Sequence, residues 1–501
     1  MYSITDLQIV KDNIDPIIDK IESDKLNIYE PTRDQQMKGI NIVLQYIKEK
    51  KRKIYGGYAQ NKVVMHKNPK DGFYPDYEIP DIDFYSPEPL QDVKAICDLL
   101  YENKVGDGNS IDGREAQHKE TYKLFANFEE ICDISYVPKY IYNKMPFIEI
   151  NGINYVHPSF MCIDLYRVLT DPHFSSRTWG KHFGRLLLLQ KHYPFKVYKE
   201  KLNVAYTVPK DIKPKILEIN KFILNELKNK ETYIVVGQYA YNYLLNESQI
   251  QNSKDKIYEY IDIPLIQIIS TNYMYDAPTL IAKLRGYNPD ITFVEMYPFW
   301  QYTGYNVIAY YKGVPLIHIT SHNGRCTPIK KCSFKTFYDG KVIEDNKNFI
   351  QLGSFDVIFL MNLISGLRCR VNDLSDKYTY HNIFTSHLID IRSYYLNKSN
   401  KTLLDDTMFQ SFITTCIGEG KDPVKSILKE RKEKILAHKP AIYKYVPGKN
   451  LEVPDFKFAN TSGNPIIKKN FKITKYILNP ELLKNMTNVN IDNEDNNDNE
   501  E

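Results

Sequence analysis

The feature that most restricts how this chain can fold is an internal repeat. The stretch KIYGGYAQN (53–61) aligns with IVVGQYAYN (234–242), setting Gly56-Gly57 over Gly237-Gln238 and Tyr58-Ala59 over Tyr239-Ala240. Further on, PDIDFYS (80–86) falls on PLIQIIS (264–270), so Asp81 matches Leu265 and Asp83 matches Gln267. CDI (132–134) then falls on IHI (317–319), pairing Asp133 with His318. Asp83 and Asp133 are 50 residues apart, Gln267 and His318 51, and the preceding interval differs by three. Three landmarks in order at similar spacing point to two copies of one fold. Only the first copy keeps its acids.

The hydrophobic pattern gives each copy its context. Residues 1–50 read as helical, with QQMKGINIVLQYIKEKK as an amphipathic segment. Between 53 and 138, short β-like runs (KIYGG, DIDFY, ETYKLFA, EEICDISYV) alternate with polar loops, and the helical LQDVKAICDLLYENK sits between the second and third. Residues 155–230 are mostly helical. The β-like runs TYIVVG, PLIQIIS, ITFVEMY, YNVIAYY and VPLIHIT follow, and helical patterns resume from about 353 to 435. The expected fold is α+β, with two tandem mixed-sheet domains, the second degenerate, and helical segments. The expected boundaries are 1–50 (N-terminal helical segment), 51–150 (catalytic core), 151–230 (helical segment), 231–375 (degenerate copy), 376–477 (helical and basic region) and 478–501 (acidic, asparagine-rich, disordered).

Composition bounds the function classes. No run of about 18 apolar residues is present, so no membrane partner is expected, and MYSITDLQIVKDN lacks the regions of a signal peptide. The seven cysteines (97, 132, 162, 326, 332, 369, 416) are scattered, with no CxxC pair, which fits a reducing compartment and argues against a structural zinc. Net charge is +4 although the last fourteen residues carry six acids and no base, so the body is moderately basic, as a polyanionic partner would suit.

Asp81 and Asp83 are the chemical signal. Residues i and i+2 of a strand share a face, so the two carboxylates repel unless a cation lies between them. Asp133, in the strand-like ICDIS, is a third acid that a neighbouring strand would bring to them. Magnesium is commonly held by a few carboxylates, waters and substrate phosphates, and two such ions stabilise both oxygens of a phosphoryl-type displacement. Gly56-Gly57, after the run KIY and before the helical AQNKVVM, forms a turn whose open N–H groups suit phosphates at a helix start. Taken singly, each part has an ordinary reading, a solvated acidic pair or a tight turn. Together they form a constellation.

That constellation resembles the signature of the polymerase-β-like nucleotidyltransferases. The longer match, GGYAQN, PDIDFYS, CDISYVP and HPSFMCIDLYRVLTDP…SSRTWGKHFGRL, resembles the viral poly(A) polymerase catalytic subunits of large DNA viruses, of the mimivirus type, over roughly residues 50–370. The chain departs from the superfamily in a longer loop between Gly57 and Asp81, which holds HKNPKDGFYPDYE. The resemblance implies transfer of AMP from ATP to an RNA 3′ end without a template, by two Mg2+ or Mn2+ ions. Asp81 and Asp83 would bridge both ions, and Asp133 would hold the one beside the attacking hydroxyl. It also implies a possible homodimer, and residence in the virion and the cytoplasm of an infected cell.

Arg177, Lys181 and Arg185, spaced i, i+4, i+8, are expected on one helical face as triphosphate contacts. His157 reads as structural. The aromatics of VEMYPFWQYTGYNVIAYY are expected mainly in a core. Basic clusters at 427–439 and 466–475 are candidates for RNA phosphates or for plain surface. Two other readings stay open: another nucleotidyltransferase (terminal uridylyl- or CCA-adding, or acting on a small molecule), and a non-catalytic RNA-binding scaffold.

Overall fold

The computed structural model describes residues 3–29, 33–75, 78, 80–106, 110–117, 120–202, 206, 208–252, 257–338, 340–439, 441–449 and 461–466. The acidic tail and all but the first residue of the 466–475 cluster lie outside these residues. The chain divides into two compact units: Met1–Leu165 with Gly180–Pro194 and Lys421–Phe458, and Tyr166–Trp179 with Phe195–Gly420 and Ala459–Glu501.

The first unit is built on β1 (Lys53–Tyr55), β2 (Ile82–Ser86), β3 (Asp112–Glu115), β4 (Thr121–Ala126), β5 (Glu129–Tyr136), β6 (Phe147–Ile150), β7 (Ile153–Val156) and a late strand, β16 (Lys444–Tyr445). Their order is β16-β3-β4-β5-β2-β1-β7-β6. β2 runs parallel to β5 and antiparallel to β1, while β1 runs parallel to β7. Parallel neighbours need a crossover. The helix Pro89–Glu102 lies within the crossover from β2 to β5, with proline in its first turn, where no backbone donor is lost. Val93, Ile96 and Leu100 of that helix are buried, as are Ile54, Phe84 and Ile134 of the central strands. Lys53 is buried too, its ammonium donating to the Tyr142 and Met145 carbonyls at 2.6 and 2.9 Å.

The second unit repeats this plan with β8 (Tyr233–Val236), β9 (Ile266–Ser270), β10 (Ile291–Met296), β11 (Asn306–Tyr311), β12 (Val314–Ser321), β13 (Thr327–Tyr338), β14 (Lys341–Gly353) and β15 (Cys416–Ile417), in the order β10-β11-β12-β9-β8-β14-β13-β15. β9 is parallel to β12 and antiparallel to β8, and β8 is parallel to β14, so every central pairing of the first sheet recurs. The sequence alignment holds to the residue. His318 pairs with Gln267 as Asp133 pairs with Asp83, and Val236 pairs with Gln267 as Tyr55 pairs with Asp83. Phe299, Trp300 and Tyr302 are buried, as expected of that aromatic run.

Some local expectations fail. The β13–β14 hairpin is long, yet its charged residues mask the alternation that marks a strand. The helical pattern does not continue from 353 to 435. The helices Phe355–Val371 and Ser375–Ser399 end at Asn400, which adopts a left-handed conformation (φ 50°), and irregular chain follows up to the helix Pro423–Leu436. Cys326 and Cys416 form a disulfide with Cα atoms 5.4 Å apart, a pairing that their 90-residue separation hides.

Candidate active site

Asp83 and Asp133 are direct register partners on the parallel strands β2 and β5, so their side chains leave one face of the sheet side by side. Asp81 stands one residue ahead of β2 at the exposed rim rather than within the strand. Its charge still acts on Asp83.

The helix Gly56–Lys67 starts against this face. Gly56 has φ +71°, and a Cβ there would stand 2.1 Å from Asp83 Oδ2. Conformation and space both demand glycine. A Cβ at Gly57 would stand 2.1 Å from the Tyr74 hydroxyl and 3.0 Å from Arg185 Nη1. Tyr55, at the N-cap, makes no side-chain hydrogen bond to the first turn, which leaves that turn's N–H groups beside the carboxylates as an anion cradle.

Two further residues belong to the site, and nothing in the sequence flagged them. Leu124 pairs with Cys132 but Phe125 with Glu130, so Ile131 is an extra residue in β5. Residues three apart on a regular strand face opposite sides. A bulge shifts that alternation and re-aims a side chain, and here it brings Glu130 close enough to Asp133 to raise its carboxyl. Lys123 lies opposite Asp133 in the register, hydrogen-bonds Glu130, and holds its ammonium 3.3 Å from Asp133 Oδ2.

The electrostatics follow from crowding. Burial, then the charge of Asp81, pushes Asp83 up to about 7, with Lys123 pulling the other way. Burial, then the hydrogen bond and charge of Glu130, pushes Asp133 up to about 8. Asp81 is raised by partial desolvation and by Glu130, and lowered by Lys123 and Lys181. Asp133 Oδ1 is buried with no hydrogen-bond partner. Carboxylates that resist ionisation, one oxygen of them orphaned, fit a hard divalent cation with oxygen ligands.

The helix Trp179–His192 carries Lys181 and Arg185. Arg185 acts on Asp83, donates to the Tyr74 hydroxyl at 3.0 Å, and stacks its guanidinium 4.9 Å from the Phe73 ring. Phe73 and Tyr74 come from the long loop after Gly57. That loop is pinned to the same helix by Asp71, whose carboxylate lies 2.7 Å from Lys191 and 2.5 Å from His192 and is held below the usual range by both. The extra loop therefore orients a cation of the cleft.

Arg177 corrects the expectation of a three-cation face. It sits on a separate 3-10 turn, Ser176–Thr178, in the second unit. Asp171 accepts from the Phe174 N–H and the Thr178 N–H bonds the Ser175 carbonyl, so the chain advances in tight turns and the four-residue spacing does not extend back from Trp179. His157 is structural as expected: its Nδ1 accepts the Ser159 N–H at 3.1 Å in the first turn of the helix Pro158–Leu169. Arg431, from the 427–439 cluster, donates to the Glu115 and Ala116 carbonyls rather than standing free.

The corresponding place in the second unit is filled. Gly237 keeps the conformation of Gly56 (φ +66°), and a Cβ there would meet Gln267 Oε1 at 1.9 Å. Gln238, in the place of Gly57, accepts from the Leu265 N–H at 2.6 Å and donates to the Tyr380 hydroxyl at 2.9 Å. His318 is half-buried, pushed down to about 3 by desolvation and by Arg368, and its Nε2 lies 3.0 Å from Asn306 Oδ1, which also accepts from Arg368 at 3.4 Å.

The family model described as poly(A) polymerase catalytic subunit matches residues 41–175, and the C-terminal model of the mimivirus poly(A) polymerase catalytic subunit matches residues 188–476. The chain is 31% identical over 502 aligned residues, 95% of its length and 84% of the relative's, to a protein of Acanthamoeba polyphaga mimivirus named as a poly(A) polymerase catalytic subunit. A likewise named protein of African swine fever virus is 26% identical over 34% of this chain and 37% of its own. The crystal structure of the Megavirus polyadenylate synthase superposes with a TM-score of 0.82 and 30% identity, covering 94% of this chain and 93% of that one. By these matches and by the geometry of its first unit, the chain belongs to the poly(A) polymerase catalytic subunit family.

Proposed function

We propose that the chain polyadenylates RNA: the 3′-hydroxyl oxygen attacks the α-phosphorus of ATP, the bond to the β,γ-pyrophosphate breaks, and AMP is added without a template. The carrying observation is the in-register pair of Asp83 and Asp133, closed from above by a glycine that admits no side chain.

Asp81, Asp83 and Asp133 would hold two divalent ions, Mg2+ or Mn2+, which when bound neutralise charge on the attacking and leaving oxygens. The remaining work falls to the chain itself. The N–H groups at the start of the helix Gly56–Lys67 cradle the triphosphate. Arg185, held by Tyr74 and Phe73, and Lys181 offset its charge. Asp133 would take the side of the attacking hydroxyl, and Lys123, hydrogen-bonded to Glu130, gives it a counter-charge.

Primer extension on RNA with each nucleoside triphosphate tests the reading. Extension by ATP that requires a divalent ion and vanishes in Asp83→Asn supports it. Faster extension by UTP or CTP moves the chain to another nucleotidyltransferase class, and no extension with any nucleotide leaves a binding scaffold.

We also propose self-association and residence in the virion and host cytoplasm. Self-association is supported by the helix Ile4–Tyr29, where exposed Leu7, Val10, Ile14, Ile17 and Ile21 recur at alternating steps of three and four, the spacing of a coiled-coil seam. Loss of the dimer in sedimentation of Ile14→Lys with Ile17→Lys would support it, and an unchanged mass would refute it.

A further inference from the structure

The Cys326–Cys416 pair has a third neighbour. His173 Nε2 lies 3.4 Å from Cys416 Sγ, and the ligating atoms of the three residues all lie within 4.8 Å of one another. All three belong to the second unit, and the catalytic reading uses none of them. We propose that this cluster is a zinc site masked by oxidation. As a disulfide it binds no metal. As a dithiol, Cys326, Cys416 and His173 hold one Zn2+, with water in the fourth position.

Three observations carry this. The donor set, two sulfurs and one imidazole nitrogen, is one that zinc takes in tetrahedral sites. Zinc–sulfur and zinc–nitrogen bonds of about 2.3 and 2.0–2.1 Å at a tetrahedral angle separate the two ligand atoms by about 3.5 Å, close to the spacing of His173 Nε2 and Cys416 Sγ. The backbone is already placed. Thr327 pairs with Ile417 and Pro328 with Cys416, so opening the sulfur–sulfur bond to ligand spacing takes side-chain rotation and leaves the strands where they are. Finally, the site can be reached. His173 is exposed, and Cys326, though buried, lines a solvent-open pocket together with Thr320, Ser321 and His322.

The redox step balances with a dithiol as reductant. Its thiolate attacks one sulfur, the Cys326–Cys416 bond breaks, and the mixed disulfide closes on the reductant's second thiol. Two electrons and two protons pass to the cysteines. Zinc binding then displaces both thiol protons to solvent, while His173 coordinates through Nε2 and keeps its proton on Nδ1. In either state β15, only two residues long, stays clamped to β13. The clamp would thus survive both reducing and oxidising surroundings.

The test uses the full-length chain, reduced with a dithiol, stripped with a chelator, freed of both and titrated with Co2+. One equivalent should bind with intense thiolate-to-cobalt absorption and be displaced by Zn2+. The oxidised chain should show no such band. Cobalt held by the aspartates of the first unit gives no thiolate absorption and so does not interfere. Cys416→Ser should remove the two-thiolate spectrum. His173→Ala, at an exposed position that leaves folding intact, should weaken binding at least about tenfold, since it removes one of three protein ligands. A reduced wild-type chain without the thiolate band, or a band and affinity indifferent to His173→Ala, would overturn the proposal.

Discussion

The repeat supplies an internal control for the catalytic reading. Gly56 and Gly237 begin equivalent helices, share a left-handed backbone (φ +71° and +66°), and face the side chains of Asp83 and Gln267 at 2.1 and 1.9 Å from a hypothetical Cβ. Alanine at either position meets the same two penalties. A non-glycine residue in this backbone region costs about 1–2 kcal/mol, and overpacking of this kind about 1–3 kcal/mol. Each substitution therefore destabilises by about 2–5 kcal/mol, and relief of the contact requires the facing side chain to shift by more than about 1 Å. At Gly237 that shift moves a glutamine with no part in catalysis. At Gly56 it moves a carboxylate that would position the reacting phosphate, where a displacement of about 1 Å costs on the order of 100-fold in rate. Because the two units need not unfold together, initial rates of ATP-dependent primer extension should be compared well below the first thermal transition. Gly56→Ala should lose about 100-fold and Gly237→Ala no more than about twofold. Equal losses, or a folded Gly56→Ala with wild-type rate, would refute the reasoning.

The other tests address charge. Asp81→Ala combined with Asp83→Ala should abolish extension with Mg2+ or Mn2+ while circular dichroism stays at wild type, and with a self-repelling cluster removed its melting temperature in chelator should not fall. Lys123→Met removes the cation shared by Asp133 and Glu130; the metal-free chain should lose about 1–2 kcal/mol, as expected when one partner of a partly buried pair is deleted, and added Mg2+ should restore most of it in a thermal-shift assay. Asp83 and Asp133 have folded values raised to about 7 and 8 against about 3.9 unfolded. The native state therefore binds more protons between about pH 4 and 8, and the metal-free chain loses stability as pH rises through that window. Divalent ions favour the ionised form, so the gap in melting temperature between Mg2+ and chelator should widen from about pH 6 to 9; a constant gap would contradict the assignment. Arg185→Met should raise KM for ATP about tenfold with a smaller change in kcat, measured by steady-state extension.

Much of this site was legible because its parts are local in sequence. Asp81 and Asp83 are two residues apart, Gly56-Gly57 form a dipeptide, and Asp133 sits in the strand-like run ICDIS. The structure then gives the aligned residues one register, His318 standing to Gln267 as Asp133 stands to Asp83. What stayed hidden depends on non-local or irregular geometry. Glu130 reaches Asp133 only through the extra Ile131 in β5, and a bulge leaves no mark on a period-two pattern. Lys123 enters through strand pairing, and Tyr74 through a loop whose composition reads as surface. Arg177 failed for the opposite reason: a helical spacing was carried across a stretch that turns instead of winding.

The filled centre of the second unit bears on whether that half could be given the chemistry of the first. Returning acids to positions 265, 267 and 318 would not by itself recreate the cleft of the first unit, because the Arg368 guanidinium bonds Asn306, beside His318, and the Gly463 carbonyl, and Gln238, where the first unit has Gly57, is bonded to the Leu265 N–H and the Tyr380 hydroxyl. An acid at position 318 would meet the Arg368 guanidinium, which already acts on His318, and would form an internal salt bridge. A route from this half to a two-ion site therefore runs through several mutually bonded side chains, and no single substitution would open it.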